Sequence, residues 1–140
     1  MFFKNLKVYK LAGELPSLAA MNEQLARAPF TACGPNDASA RGWVPPRDNG
    51  ELVYAQGNQR LIALRTEEKI LPSQVVNREV AKRAAILEEQ QGYKPGRKQQ
   101  KELKERIIEE LLPRSHTKQH TTFAWFDLAS SGARFSAFCL

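Results

Sequence analysis

Residues 73–112 read SQVVNREVAKRAAILEEQQGYKPGRKQQKELKERIIEELL, and the apolar spacing within this stretch decides the fold. Val76, Val80, Ala84 and Leu87 recur at helical intervals to about Gln91, and Pro72-Ser73 supplies a start. The link Gln91-Gly92-Tyr93-Lys94-Pro95-Gly96-Arg97-Lys98 holds two glycines and a proline, so one helix cannot run through it. A second helix is expected from about Lys98 to Leu112, with Leu103, Ile107, Ile108, Leu111 and Leu112 on one side. Pro113 ends it, having no N–H to donate. The stretch therefore predicts a helical hairpin.

Outward from the hairpin the pattern changes to strands. Upstream, Leu52 to Gln56 and Arg60 to Thr66 are β-prone runs around Gly57-Asn58, a hairpin signal. Leu61-Ile62-Ala63-Leu64 is wholly apolar and suits a central strand. Phe2 to Leu11 alternates from Leu6 onward as a half-buried strand would. Ser17 is a plausible N-cap for a helix over Leu18 to Ala28, with Leu18, Met21 and Leu25 on one stripe and Pro29 as the stop. Phe30 to Gly50 reads as irregular, with a turn at Cys33-Gly34-Pro35-Asn36-Asp37 and a non-helical Gly42-Trp43-Val44-Pro45-Pro46. Downstream, Thr121 to Leu128 is another strand candidate.

This order predicts an α+β fold: a mainly antiparallel sheet with a packed helix and a protruding basic helical hairpin. The expected divisions are a sheet-based body over residues 1–71, the hairpin over 72–113, and a return strand with a divergent tail over 114–140. At 140 residues the chain suits one unit with a modest core rather than independent domains.

The chain carries a net charge of +6, and the surplus is local. Residues 69–118 hold 12 Lys and Arg against 7 Asp and Glu, whereas the residues before them are nearly balanced. A local surplus is the footprint expected of a phosphate-binding face. Within it, Lys94, Arg97, Lys98, Lys101, Lys104 and Arg106 stand against only Glu102 and Glu105. On a helix, Arg97, Lys98, Lys101 and Lys104 share a broad face, a row able to track a phosphate backbone. The bland alternative is a solvated helix laced by pairs such as Glu102 with Arg106, and charge alone leaves the two level.

Other chemistry finds less support. No Walker-type loop, GxGxxG, HExxH, GxSxG or EF-hand pattern occurs. Glu67 and Glu68 are adjacent on an expected strand and point to opposite faces, which favours a solvated or lysine-paired strand end over a convergent site. His116 and His120 have metal-ligand spacing but fall in a Ser/Thr-containing link without helical pattern, so a surface linker is favoured. Cys33 and Cys139 stand far apart, which argues against a disulfide framework or a zinc site and for a reducing compartment. No run approaches the roughly 18 apolar residues of a membrane span, and no signal peptide is evident. A cytosolic location is expected.

Several motifs in one order carry a resemblance. They are Phe3-Lys4-Asn5-Leu6 with Val8-Tyr9 and Leu11, Phe30, Cys33-Gly34 and Gly42-Trp43-Val44-Pro45-Pro46. Glu67-Glu68-Lys69-Ile70-Leu71-Pro72-Ser73, Leu111-Leu112-Pro113-Arg114, and Trp125 with Asp127 follow. Over about residues 2–127 the chain resembles the RdgC family of bacterial recombination-associated DNA-binding proteins. The resemblance implies a non-enzymatic, nucleoid-associated protein without a cofactor or metal, binding double-stranded and also single-stranded DNA with little sequence preference. It further implies a homodimer that closes as a ring around the duplex and restrains RecA-driven strand exchange. The DNA-binding residues implied here are Lys94, Arg97, Lys98, Lys101, Lys104, Arg114 and Lys118.

Two departures qualify the expectation. Family members run to roughly twice this length, and the pattern is lost after Asp127, as an early stop or frame shift would produce; ring closure is then in doubt. Ser115-His116 also stands where the family commonly carries an aromatic. The rival readings are a protein-interaction module docking through Ile107 and Leu111, a nonfunctional remnant, and, least favoured, an enzyme.

Overall fold

Gln56 faces Gln59 across the two-residue turn Gly57-Asn58, as the sequence expects. Gly57 has φ 57°, in the left-handed region that tight hairpin turns require. The computed structural model describes residues 5–128 and 135–139. In chain order the elements are strand β1 (Leu6–Lys10), helix α1 (Leu18–Ala26), and strands β2 (Ser39–Val44), β3 (Tyr54–Gln56) and β4 (Gln59–Lys69). Helices α2 (Ser73–Gln91) and α3 (Arg97–Leu111), strand β5 (Thr117–Asp127) and strand β6 (Phe135–Cys139) complete it. The class is α+β. The sheet order is β1-β6-β5-β4-β2, with β3 paired to β4 off that path. β6 runs antiparallel to both β1 and β5, and β3 antiparallel to β4.

The chain divides into two compact units. The first comprises Met1–Ala32, Ala40–Glu67 and Gln119–Leu140, and the second comprises Cys33–Ser39 and Glu68–Lys118. In the first unit, Met21 of α1 packs with Val53, Ile62, Ala124 and Phe126, and Leu25 and Trp43 lie against that cluster. Alternation assigns the faces. Ile62 with Ala124 and Phe126 turns toward α1, and Leu61 with Trp125 turns to the other side. Ser17 caps α1 by accepting from the Ala20 N–H at 3.3 Å, and Asn22 Oδ1 accepts from the Val53 N–H at 3.1 Å.

Several expectations need correction. β1 is not half-buried: all five of its residues are exposed, because among the described residues it stands at the sheet edge, paired with β6 alone. Leu18 is exposed although Met21 and Leu25 on the same helix pack inward. Residues 39–44 form β2 within the stretch read as irregular. β5 starts at Thr117, so His120 lies on a strand rather than in a link. The β6 strand lies in a tail for which no strand is expected. Residues 1–4, 129–134 and 140, with the early part of the first motif and parts of the divergent tail, lie outside the described residues.

Gly42 explains why β2 is hidden in the sequence. Phe30 N donates to Trp43 O and Trp43 N to Ala28 O, both at 3.0 Å, and Pro29 bridges Trp43 in parallel. A Cβ on Gly42 would collide with the backbone of Pro29 and Phe30. Glycine here marks a crossing of two backbones, not a turn. Gly42→Ala is expected to cost at least about 1–3 kcal/mol as an overpacking change, measured by denaturant unfolding. A change below about 0.5 kcal/mol would show that the crossing opens freely.

Candidate nucleic-acid interface

Helices α2 and α3 follow one another across residues 92–96 and pack together. Val76 is 3% exposed, Ile107 0% and Leu112 9%, and Val80, Ala84, Leu87, Leu103, Ile108 and Leu111 are half-buried. The apolar stripes read from the sequence therefore face inward. Ile107 is fully buried by this packing, whereas Leu111 keeps part of its surface.

The turn between the helices is built by glutamines as much as by breakers. Gly92, at φ 79°, closes α2 by donating from its N–H to Glu88 O at 2.8 Å, the left-handed C-cap that glycine adopts without strain. Gln91 Nε2 donates to Tyr93 O at 2.8 Å, and Gln99 Nε2 to Gln91 Oε1 at 3.2 Å. Gln99 Oε1 accepts from the Gly96 N–H at 3.0 Å, and Gln100 Nε2 donates to Pro95 O at 3.2 Å. Pro95 is buried. Sequence reasoning missed these ties, although Gln91 and Gln99-Gln100 flanking the breakers were visible.

With the glutamines directed inward, the cations are left outward. Lys94, Arg97, Lys98, Lys101, Lys104, Arg114 and Lys118 are all exposed. Only Lys101 has an ion pair among the described residues, to Glu105 at 3.9 Å, with side chains 79% and 60% exposed. Such a contact contributes little and exchanges readily for a phosphate. Glu102 and Arg106 form no ion pair among the described residues, so the lacing of α3 among them is limited to the Lys101–Glu105 contact. Arg97, Lys98, Lys101 and Lys104 occupy roughly 120° of the α3 circumference and span about 10 Å of its length. Lys94 lies in the turn ahead of α3, and Arg114 and Lys118 lie beyond its far end, so the seven do not gather at one point.

The two helices are also clamped electrostatically. Arg83 donates through Nη1 and Nη2 to Glu110 Oε1 and Oε2 at 3.0 and 2.5 Å, and its Nε lies 3.5 Å from Glu79 Oε1. The hydrogen bond from Arg83 is the main cause that holds the Glu110 carboxyl below its usual range, and the same bond raises the Arg83 guanidinium. A depressed carboxylate stabilises the fold above its unfolded value and loses that contribution as pH falls through the lower folded value. The melting difference between the native chain and Glu110→Gln is therefore expected to be present at neutral pH. It should shrink below about pH 4.3, the ordinary glutamate value. A difference independent of pH would show that the clamp is not ionic.

The base of the hairpin joins motifs distant in sequence. Lys69 Nζ donates to Leu112 O at 2.9 Å and to Pro35 O at 2.5 Å. The Lys69 N–H bonds Ala38 O at 2.9 Å, and the Ile70 N–H bonds His116 O at 2.8 Å. A cation on the last carbonyls of α3 opposes the negative end of the helix dipole. Glu67 corrects another expectation, being 4% exposed and accepting from Gln119 Nε2 at 2.9 Å rather than standing in solvent. Glu68 is exposed, as the alternation requires. Among the described residues no group of three His, Cys, Asp or Glu is placed to hold a metal ion, and no helix is long and apolar enough to cross a membrane.

Comparison with known proteins finds relatives of this sequence. A recombination-associated protein RdgC of Dechloromonas aromatica is 53% identical over 128 residues, covering 91% of this chain and 42% of that protein. The namesake of Cupriavidus pinatubonensis is 48% identical over 128 residues, covering 91% and 43%, and that of Bordetella pertussis 44%, with the same coverage. The chain thus spans less than half the length of these curated relatives. The family model described as "Putative exonuclease, RdgC" matches residues 1–132. With relatives and family model agreeing over nearly all its residues, the chain belongs to the RdgC family.

Proposed function

We propose that this chain binds duplex DNA through phosphates, without reading sequence, using the exposed cation row of α3. The observation that carries the reading is that row itself. Arg97, Lys98, Lys101 and Lys104 are exposed on one side of a clamped helix, and the single carboxylate contact among them is weak. Each phosphate neutralised releases condensed counterions, so affinity would come from charge and fall with salt. Nothing in that scheme makes or breaks a bond. The recombination-associated name of the relatives supports a role on DNA, and the proposal extends, from the family resemblance alone, to restraint of RecA-driven exchange by a nucleoid-associated ring dimer. That last step concerns the whole-length protein.

The test is a salt titration of duplex binding by the purified chain, with its mass in solution measured alongside. A slope of log K against log salt of about −3 or steeper is expected, since each phosphate contact contributes about 0.9. No binding at low salt would overturn the reading and point to a remnant. The exonuclease description of the family model supplies a second arm. Release of nucleotides from labelled duplex in Mg²⁺ or Mn²⁺ would replace the binding reading by a catalytic one.

A further inference from the structure

The first unit carries a cleft of about 760 Å³ on the sheet side facing away from α1. Its lining includes Arg47, Asp48, Tyr54, Gln56, Gln59, Leu61 and Trp125. The register explains the grouping: Tyr54 stands opposite Leu61 and Gln56 opposite Gln59, so these four share one face of the β3–β4 hairpin. Arg60 also borders the cleft but donates through Nη1 to Pro16 O and Met21 Sδ, so its guanidinium is engaged. Arg47 differs. Its guanidinium lies 4.4 Å from the Tyr54 ring centroid, and no carboxylate lies within 4.0 Å of it among the described residues.

We propose that this cleft binds an unpaired nucleotide, with its base against Trp125, its edge on the glutamine amides and its phosphate on Arg47. The chemistry selects this class. A half-buried indole offers a flat face to a planar ring, and stacking of this kind tolerates any base. Gln56 Oε1 already accepts from the Tyr54 hydroxyl at 3.3 Å, which leaves its amide N–H groups to donate, and Gln59 presents a donor and an acceptor, a set that suits the edge of a base. The Arg47 guanidinium, oriented over Tyr54, offers a planar fork to a phosphate. Asp48 accepts from an exocyclic amino group and disfavours a ligand that is anionic throughout. The volume lies in the range of small-molecule sites. A base inside a duplex is already stacked and paired and cannot enter. The inference stands apart from the hairpin: duplex binding by α3 can fail while the cleft fills, and the reverse.

The test follows tryptophan emission of the full chain during titration with a short single-stranded oligonucleotide containing cytosine, with deoxycytidine monophosphate, and with a duplex of the same length. The single strand is expected to quench emission and the duplex to leave it unchanged. Arg47→Ala and Tyr54→Ala are expected to weaken the single-strand titration roughly tenfold each. Tyr54→Phe, which keeps the ring under Arg47, should stay within about twofold of the native chain. Trp125→Phe should abolish the quench, with circular dichroism reporting that the fold persists. Quenching by the mononucleotide as well identifies a free-nucleotide site, and quenching by the oligonucleotide alone identifies a strand site; both support the proposal. Absence of quenching by either ligand overturns it, as does quenching that survives Arg47→Ala and Tyr54→Ala. Self-association abolished by Tyr54→Ala, without nucleotide response, would instead make the cleft a contact between copies.

Discussion

Changing Lys98, Lys101 and Lys104 together to Ala is expected to reduce the slope of log K against log salt for duplex binding by about 2.7. The figure follows from three phosphate contacts at about 0.9 each. Across a fourfold rise in salt, the native chain should then lose about 40-fold more affinity than the variant. The three side chains are exposed, so stability should change by no more than about 0.5 kcal/mol and the comparison is not confounded by unfolding. Changing Lys118 or Arg114 alone, beyond the far end of α3, tests how far the face extends. Each should remove about one unit of slope if it contacts phosphate. An unchanged slope in the triple variant would mean that α3 presents the wrong face.

Ile107→Ala is expected to destabilise the protein by about 2–5 kcal/mol, read from denaturant unfolding. Ile107 is 0% exposed and is the largest fully buried side chain of the hairpin unit among the described residues. Truncation removes its transfer energy and leaves a cavity that two helices clamped by Arg83 and Glu110 cannot readily close. The loss is a large fraction of the roughly 5–15 kcal/mol typical of a domain. Ile107→Val should cost only about 0.5–1.5 kcal/mol. Below the melting range, Ile107→Ala should retain the native salt slope, because it removes no cation. A docking role for Ile107 predicts the opposite, lost partner binding with unchanged stability.

The two long helices were legible because their stripes repeat over many residues and their ends carry Pro and Gly. Spacing also placed Arg97, Lys98, Lys101 and Lys104 together, since solvent exposure of charge on a helix needs no distant partner. What escaped depends on distant partners. β2 looks irregular until the chain at Pro29 and Phe30 is laid across Gly42. Glu67 looks solvated until Gln119, 52 residues later, reaches it. The first half of β5, Thr117 to His120, is polar and exposed, so no alternation announces it. The cleft combines β3, β4 and β5 with the Pro46-Arg47-Asp48 loop, and no local motif foretells that.

Lys69 joins Pro35, Ala38 and Leu112, and Ile70 next to it reaches His116. These contacts lie within the Cys33-Gly34, Glu67 to Ser73 and Leu111 to Arg114 motifs or within a few residues of them. Three of the segments that carry the resemblance thus form a buckle at the root of the hairpin, and of the candidate cations Arg114 stands within it while Arg97, Lys98, Lys101 and Lys104 lie outside it. Apart from Arg114, the buckle and the proposed phosphate contacts are written in different residues. A relative could keep the buckle whole and trade away Lys98, Lys101 and Lys104, remaining recognisable after its grip on phosphate had gone.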